Sequence, residues 1–319
     1  ELIHKRYHKG ISKLIDNSKI NSSPTSQDLG FVIGPQINAA SRIGDSSLAS
    51  KLLISNDIEQ IDFISRKLFL LNEKRKLIEN QILAEAKKQA INQNNSNFIL
   101  VYGNNWHQGV LGIIASKISD IYYKPTIVIS FSNNIGVGSA RSIKNVDLGK
   151  MILTAKQENI LISGGGHSMA AGLKINFSNL EKFQNYLDLS LASYDQNLFE
   201  RIDYFDSMIS VNDINLELIN SIDQLQPFGN GNPEPFFILK DVRIDSIKII
   251  KDKHFLIFFE NDLGQKIKGI CFNSNETILG DYLEKFVRYQ FYFACTVSID
   301  KYTSKPVPQI IIKDVMKID

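Results

Sequence analysis

Apolar residues recur along this chain at two different spacings, and the spacing changes from one region to the next. Between residues 57 and 94, Ile61, Ile64, Leu68, Leu71, Ile78 and Ile82 follow at steps of three, four or seven. That places them on one stripe of an α-helix. Arg66, Lys67, Lys74, Lys76, Lys87 and Lys88 fall largely elsewhere. Asp57 is placed to cap this helix, with Gln60 as the reciprocal partner. At 1.5 Å per residue it would run roughly 55 Å, the dimension of a strut between domains. The polar run from Asn92 to Asn97 ends it.

Residues 1–56 show two short helical patterns around the polar stretch Asn21 to Ser26, then Phe31-Val32-Ile33-Gly34-Pro35. They bury little core alone and are expected to pack on something upstream. Residues 97–195 alternate short apolar runs with helical patterns. Phe98 to Tyr102 and Pro125 to Ser130 read as buried strands; Val110 to Tyr122, Asp147 to Gln157 and Leu180 to Leu191 read as helices. Such alternation predicts an α/β domain. From residue 203 the pattern changes again. A short helix over Asp213 to Ile222 precedes a proline- and glycine-rich stretch, Gln226 to Pro235, which excludes continuous helix or strand. Alternating segments follow at Phe236–Ile250, His254–Glu260, Lys266–Phe272, Tyr289–Asp300 and Gln309–Ile318, with a helix near Glu276 to Lys285. Five strands with a helix between the third and fourth is the layout of an OB-fold barrel.

Composition adds bounds. The chain has 319 residues, 43% hydrophobic and 22% charged, and suits two or three soluble domains. The 36 basic and 34 acidic residues leave a formal charge of +2, which neither favours nor excludes a nucleic-acid partner. Two cysteines, Cys271 and Cys295, form no C-x-x-C pair, so a reducing cytoplasm is expected. No apolar run has the length of a membrane span. A chain that starts Glu-Leu-Ile-His without methionine is expected to be a fragment of a longer one.

Four strings carry candidate chemistry. Ser163-Gly164-Gly165-Gly166-His167-Ser168-Met169-Ala170-Ala171-Gly172 would let backbone N–H groups converge as an anion nest, with His167 adding a directed donor. The whole ten-residue string points to phosphate binding, where Gly-Gly-Gly alone fits a turn beside a core histidine. In Gly138-Ser139-Ala140-Arg141-Ser142, Ser139 and Arg141 are two apart on a strand and share a face, so hydroxyl and guanidinium can grip one phosphate. A hairpin edge with a solvent-facing arginine fits this string equally. Trp106-His107-Gln108-Gly109-Val110-Leu111-Gly112 sits where a strand turns into a helix, a place that favours anions. Trp106 and His107 are candidate contacts to a base or sugar, against core packing for the only tryptophan. Gly34-Pro35-Gln36-Ile37-Asn38-Ala39-Ala40-Ser41-Arg42 offers Arg42 to an anion, or else a turn leading into a helix with a surface arginine. The barrel aromatics Phe255, Phe258, Phe259, Phe272, Tyr289, Phe291, Tyr292 and Phe293 read mostly as core, though some could stack bases. Pro227 to Pro235 reads as a rigid linker into the barrel. The five histidines (His4, His8, His107, His167 and His254) form no Asp-His-His or His-Glu-x-x-His string, so no metal site can be assembled.

Taken in order, these strings resemble the DHH/DHHA1 phosphoesterase superfamily, and the RecJ family within it. Gly164 to His167 with Ala170-Ala171-Gly172 is similar to the DHHA1 glycine–histidine motif. Gly138 to Ser142 is similar to Gly-Ser-Gly-Arg-Ser, with Ala140 in place of a glycine. Trp106 to Ile113 resembles the family's strand-to-helix turn. Gly34 to Arg42 resembles Gly-Pro-Arg-Leu-Asn-Ala-Ala-Gly-Arg, departing at Gln36 and Ser41. Pro227 to Pro235 resembles the segment leading into the OB domain.

The resemblance implies an α/β DHHA1-type domain joined by a long helix and followed by an all-β OB-fold barrel. It implies residues 1–56 as the end of a DHH domain, 57–95 as the connecting helix, 96–200 as DHHA1 and 201–319 as OB. The activity it implies is 5′→3′ exonuclease action on single-stranded DNA, in DNA repair and recombination. That activity depends on Mn²⁺ or Mg²⁺ in the full-length enzyme, and this chain alone is expected to bind neither metal and to be inactive. Arg42, Ser139 and Arg141 would hold the terminal 5′ phosphate with Gly164, Gly165 and Gly166, and His167 would act at the scissile phosphate. Implied partners are single-stranded DNA and a single-strand-binding protein or helicase, with no membrane. Two alternatives stand beside this: a phosphoesterase on short oligonucleotides, and a non-catalytic single-strand-binding protein lacking the metal half.

Overall fold

The computed structural model describes the chain apart from residues 1, 2, 4, 21, 22, 94, 230, 276, 277, 285–289, 301–304 and 319. His4, Tyr289 and the ends of the helix expected near 276–285 therefore lie outside the described residues. The chain divides into two compact units, Glu1–Arg201 and Ile202–Asp319.

The first unit is organised by the long amphipathic helix. α1 (Lys9–Asn17), α2 (Ser26–Asp28), α3 (Gly34–Ile43) and α4 (Ser47–Ile54) precede α5 (Ile58–Ile91). Asp57 caps α5 as expected, its side chain accepting from the Glu59 and Gln60 N–H groups. The reciprocal contact is not Gln60: the Asp57 N–H donates to Ser55 Oγ, at 3.2 Å. Residues 1–56 bury a core against the N-terminal half of α5, where Leu14, Ile15, Ile33, Leu48 and Leu52 meet Ile61, Ile64 and Leu68.

β1 (Ile99–Asn104), α6 (Gln108–Tyr122), β2 (Thr126–Ser132), β3 (Ile135–Arg141), α7 (Leu148–Gln157), β4 (Ser163–His167), β5 (Ala170–Asn176) and α8 (Leu180–Ala192) complete the unit. The strands lie in the order β1-β2-β3-β5-β4, with β1 and β2 parallel and the other neighbours antiparallel. Alternation puts two cores on the two faces. Val128 joins Ile99, Val101, α6 and the C-terminal half of α5 on one. Ile127, Ile129, Ala140, Ala171 and Leu173 join α7 and α8 on the other.

The outer edge of β1 is closed by side chains. Gln93 donates to the Leu100 carbonyl and accepts from its N–H, both at 2.9 Å. Gln89 treats Tyr102 the same way, at 2.7 and 3.0 Å. Gln89 in the last turn of α5 and Gln93 two residues past its end thus occupy the place of a neighbouring strand, which removes an open template for association.

The second unit contains β6 (Ser207–Ile209), α9 (Leu216–Asp223), β7 (Phe237–Leu239), β8 (Arg243–Ile250), β9 (His254–Glu260), β10 (Lys266–Cys271), α10 (Ile278–Glu284), β11 (Gln290–Ile299) and β12 (Pro308–Ile318). The strands run β6-β7-β11-β12-β10-β9-β8, and β10 pairs parallel with β12. The first expected strand is split: β7 pairs with β11 while β8 pairs with β9. Only Lys240, Asp241 and Val242 separate β7 from β8, so the chain itself tethers opposite parts of the row. Phe255, Phe259, Phe291 and Phe293 fill the core, as alternation requires. The stretch Pro227 to Pro235 leads from α9 into β7; Asn232 Nδ2 donates to the carbonyls of Leu225 and Pro227, at 2.9 and 3.0 Å.

Candidate anion site on the open half of the sheet

Residues directly opposite one another on antiparallel strands point to the same face. Ser139 on β3 pairs with Gly172 on β5, which pairs with Gly165 on β4. One step along, Arg141 pairs with Ala170, which pairs with His167. Ser139, Arg141 and His167 therefore share one sheet face. Two strand spacings, roughly 9.5 Å, separate the first two from the third. α6 packs over β2 and β3 on this face, whereas Ser163, Gly165, His167, Gly172 and Lys174 are exposed. The face is thus half covered and half open, and Ser139 and Arg141 lie half-buried at the boundary.

At that boundary Gly112 of α6 faces both side chains; a Cβ on it would lie 3.0 Å from Arg141 Nη2 and 3.1 Å from Ser139 Oγ. Arg141 Nη1 donates to the Ala140 carbonyl at 2.8 Å and approaches Ser139 Oγ at 3.4 Å. Arg42 reaches the same place from the last turn of α3, and its Nη1 donates to the Gly109 carbonyl at 3.1 Å. The two arginines feel each other. Burial first, then the Arg42 charge, hold the Arg141 guanidinium below its ordinary range. An arginine stays protonated all the same. Among the described residues neither guanidinium is ion-paired with a carboxylate. Two converging cations, a hydroxyl and the N-terminal end of α6 make a place for an anion.

The glycine triplet differs from expectation. Gly164, Gly165 and Gly166 lie in an extended strand paired with β5, not in a nest of converging N–H groups. A nest needs alternating helical conformations; pairing with Ala171, Gly172 and Leu173 stretches the triplet out instead. The glycines have different reasons. On Gly164 a Cβ would strike Ile152, and on Gly166 the Ala170 carbonyl. On Gly165 it would meet nothing within 4 Å, and on Gly172 only the Gly138 carbonyl at 3.9 Å. Glycine within a strand marks a close backbone approach or a ligand. For Gly165 and Gly172 no described residue brings backbone that close.

His167 is exposed at the far side of this bare patch. Its Nδ1 accepts from the Met169 N–H at 3.3 Å, which leaves Nε2 as the outward N–H donor. The turn behind it is pinned: Leu148 N donates to the Ser168 carbonyl at 3.1 Å and Ser142 N to the Met169 carbonyl at 2.9 Å. Trp106 is a correction. It is 7% exposed, and its Nε1 donates to Glu85 at 3.0 Å, so it anchors the core and is shut off from a base. His107 is exposed and caps α6, Nδ1 accepting from the Gly109 N–H at 3.2 Å. The structure thus brings Arg42, Ser139, Arg141, the glycines and His167 to one region. It adds Gly109, Gly112 and Gly172, whose sequence signal was only glycine within the quoted strings.

In the second unit Phe272 is exposed and meets His254 edge-on, with centroids 5.5 Å apart. Among the described residues no group of three or more His, Cys, Asp or Glu side chains is placed to hold a metal ion. No helix among them is long and apolar enough to cross a membrane.

Comparison with known proteins places these units. The sequence profile of the DHHA1 domain matches residues 95–193, and that of the RecJ OB domain matches residues 205–314. A single-stranded-DNA-specific exonuclease RecJ from Haemophilus influenzae is 31% identical over 306 residues, covering 92% of this chain and 52% of the relative. The same-named protein of Bacillus subtilis is 26% identical over 321 residues, covering 98% and 40%. The crystal structure of RecJ in complex with Mn²⁺ from Thermus thermophilus superposes with a TM-score of 0.82 at 20% identity, over 100% of this chain and 46% of that one. At that identity the likeness is one of fold. The chain spans about half the length of the curated relatives it matches.

Proposed function

We propose that this chain, which belongs to the RecJ family through its DHHA1 and RecJ OB domains, is the end-gripping and strand-guiding part of a 5′→3′ exonuclease on single-stranded DNA. In this reading Arg42, Ser139 and Arg141 hold the terminal 5′ phosphate. The strand then crosses the bare floor of Gly165 and Gly172. His167 offers Nε2–H to a phosphate about 9.5 Å further on, where charge develops as the bond breaks. The OB domain contributes strand binding of its own, with Phe272 as a surface for a base.

The observation that carries the reading is the Arg42–Arg141 pair: two half-buried cations brought to one end of α6, close enough to feel each other, with no carboxylate paired to either among the described residues. Two like charges held near each other disfavour one another, and a bound anion would relieve that repulsion. Residues 1–56 are read as the end of a DHH domain, because they deliver Arg42 to the site. The Mn²⁺ or Mg²⁺ dependence belongs to the whole enzyme. The described residues do not fit such an ion, and no step through it is assigned to them. The enzyme acts in the cytoplasm in DNA repair and recombination, beside a single-strand-binding protein or a helicase.

Binding of this chain to labelled single strands ending in 5′ phosphate or 5′ hydroxyl tests the reading. The phosphate end is expected to bind at least tenfold tighter, the value of about one charge-assisted contact. Equal affinity for both ends rejects the grip. Binding to dinucleotides as tight as to long strands points instead to a phosphoesterase for short oligonucleotides.

A further inference from the structure

The phosphate reading leaves one exposed group beside the site without a task. His107 shares a hydrogen bond with neither arginine, yet two hydrogen bonds connect it to one of them. Its Nδ1 accepts the Gly109 N–H at 3.2 Å, and the Gly109 carbonyl accepts Arg42 Nη1 at 3.1 Å. The two bonds meet on opposite ends of a single residue. Gly109 also lies flat against the backbone of Arg42: a Cβ on it would sit 1.9 Å from the Arg42 carbonyl oxygen. Nothing larger than glycine fits between them, so α3 and α6 meet backbone to backbone at this point.

We infer that His107 is a positioning residue for Arg42, setting the direction of its guanidinium through Gly109. The inference rests on the phosphate-end reading of the site. A long arginine side chain has several rotamers of similar energy, and a fixed acceptor selects one. The Gly109 carbonyl is that acceptor, and its orientation depends on the first turn of α6. That turn is held by the cap, in which His107 satisfies the Gly109 N–H and its own carbonyl accepts from Val110 at 3.1 Å.

The cap is itself rigidly mounted. The Trp106 carbonyl accepts from Ser130 Oγ at 2.7 Å and its ring N–H donates to Glu85. Asn105 stands at φ 57° with its N–H on the Phe131 carbonyl at 2.9 Å. Gly103 makes room for the indole, since a Cβ there would overlap the ring. The sole tryptophan, read from sequence as a candidate base contact, is on this account the mount of the histidine that aims Arg42. A ring that caps with Nδ1 turns Nε2 outward, but the role argued here needs only the acceptor.

The test compares His107→Ala with His107→Asn in this chain, using labelled oligodeoxynucleotides ending in 5′ phosphate or 5′ hydroxyl. Asparagine is a strong N-cap and keeps an acceptor for the Gly109 N–H. The readout is the ratio of the two affinities, which a general loss of stability or of strand binding would not move. His107→Ala is expected to lower the phosphate preference by about threefold to tenfold, the share of one charge-assisted bond made imprecise. His107→Asn should hold it within about twofold, and the hydroxyl strand should bind alike in all three proteins. An unchanged ratio in His107→Ala overturns the inference. So does an equal loss in both variants, which would mean that the imidazole touches the strand directly. Arg42→Ala is the reference. If it lowers the ratio while His107→Ala does not, only the positioning role fails; if it leaves the ratio unchanged, the phosphate reading fails with it.

Discussion

Replacing Arg141 by methionine removes a charge and keeps most of the side-chain length. On stability the terms nearly oppose. The substitution gives up a bond to the Ala140 carbonyl and a long one to Ser139. It also relieves a guanidinium that burial and Arg42 both disfavour in its charged form. Water on the open side screens the repulsion, so the gain is small. The sum should lie between no loss and a gain of about 1 kcal/mol, within the usual range for relieving a functional site. For a unit of some 200 residues that is a rise in Tm of up to about 2–4 °C. On binding the terms do not oppose. A charge-assisted contact to phosphate contributes about 1.5–3 kcal/mol, so affinity for a 5′-phosphorylated single strand should fall roughly 10- to 150-fold. Each phosphate neutralised on a single strand contributes about 0.7 to the slope of log affinity against log salt. Arg141→Met should therefore flatten that slope by about 0.7, measured by anisotropy titration between about 50 and 200 mM salt. A lowered Tm with both strand types weakened equally would make Arg141 a structural residue, and undiminished affinity would remove it from the site.

Four further outcomes follow from the same geometry. Gly165→Val should leave Tm unchanged or slightly higher, because no neighbour stands in the way and valine favours strands, while strand binding weakens several-fold; equal affinity would show that no ligand lies on that floor. Replacing both Gln89 and Gln93 by alanine opens four edge bonds at a net cost of about 0.5 kcal/mol each, less the few tenths by which alanine is the better helix former at position 89. Amide exchange at Leu100 and Tyr102 should accelerate, and unaltered protection there would refute the clasp. Burial raises the Glu234 carboxyl above its usual range, with Asp223 adding to this and Lys313 opposing it. The native state then holds its proton more tightly than the unfolded chain, so this group's contribution is present at low pH and is lost as pH rises through the raised value. Glu234→Gln should accordingly raise Tm at neutral pH, with the difference vanishing toward pH 4; a difference independent of pH would refute it. Burial pushes the Cys295 thiol up to about 12 and raises Cys271 as well, so a thiol reagent should label neither in the native protein and both in denaturant.

How much of this was legible in the residues depended on whether a short-range rule was at work. The stripe from Ile61 to Ile82 fixed α5 because helical period depends on one segment only. The OB layout was legible for the same reason, strand by strand, although the break at Lys240–Val242 was not. The break is set by which strand each half pairs with. Ser139 and Arg141 were legible as a pair because i and i+2 share a face in any strand. The glycine triplet was misjudged as a nest because glycine permits both conformations, and pairing with residues 170–174 decides between them. Gln89 looked like any polar helix position and Gln93 like any residue of the polar run that ends the helix; only the nearby edge of β1 gives them work. Trp106 had two readings, and the deciding partner, Glu85, lies on another element.

The open half of the sheet also explains why the site can tolerate its own electrostatics. An α/β layer ordinarily covers both faces of its sheet with helices. Here the face carrying Ile127, Leu173 and their neighbours is covered by α7 and α8, whereas α6 covers only the β2–β3 side of the other. The residues in the uncovered part, Gly165, His167, Gly172 and Lys174, offer no apolar surface for a helix to bury. A helix laid there would gain little and would shut Arg141 in a dry interior beside Arg42, where unpaired charge is costly. With the face bare, one side of each half-buried guanidinium stays in water. On the proposed reading, the bare face and the two arginines without a carboxylate partner among the described residues are one feature: a sheet left open where its charge would meet an anion.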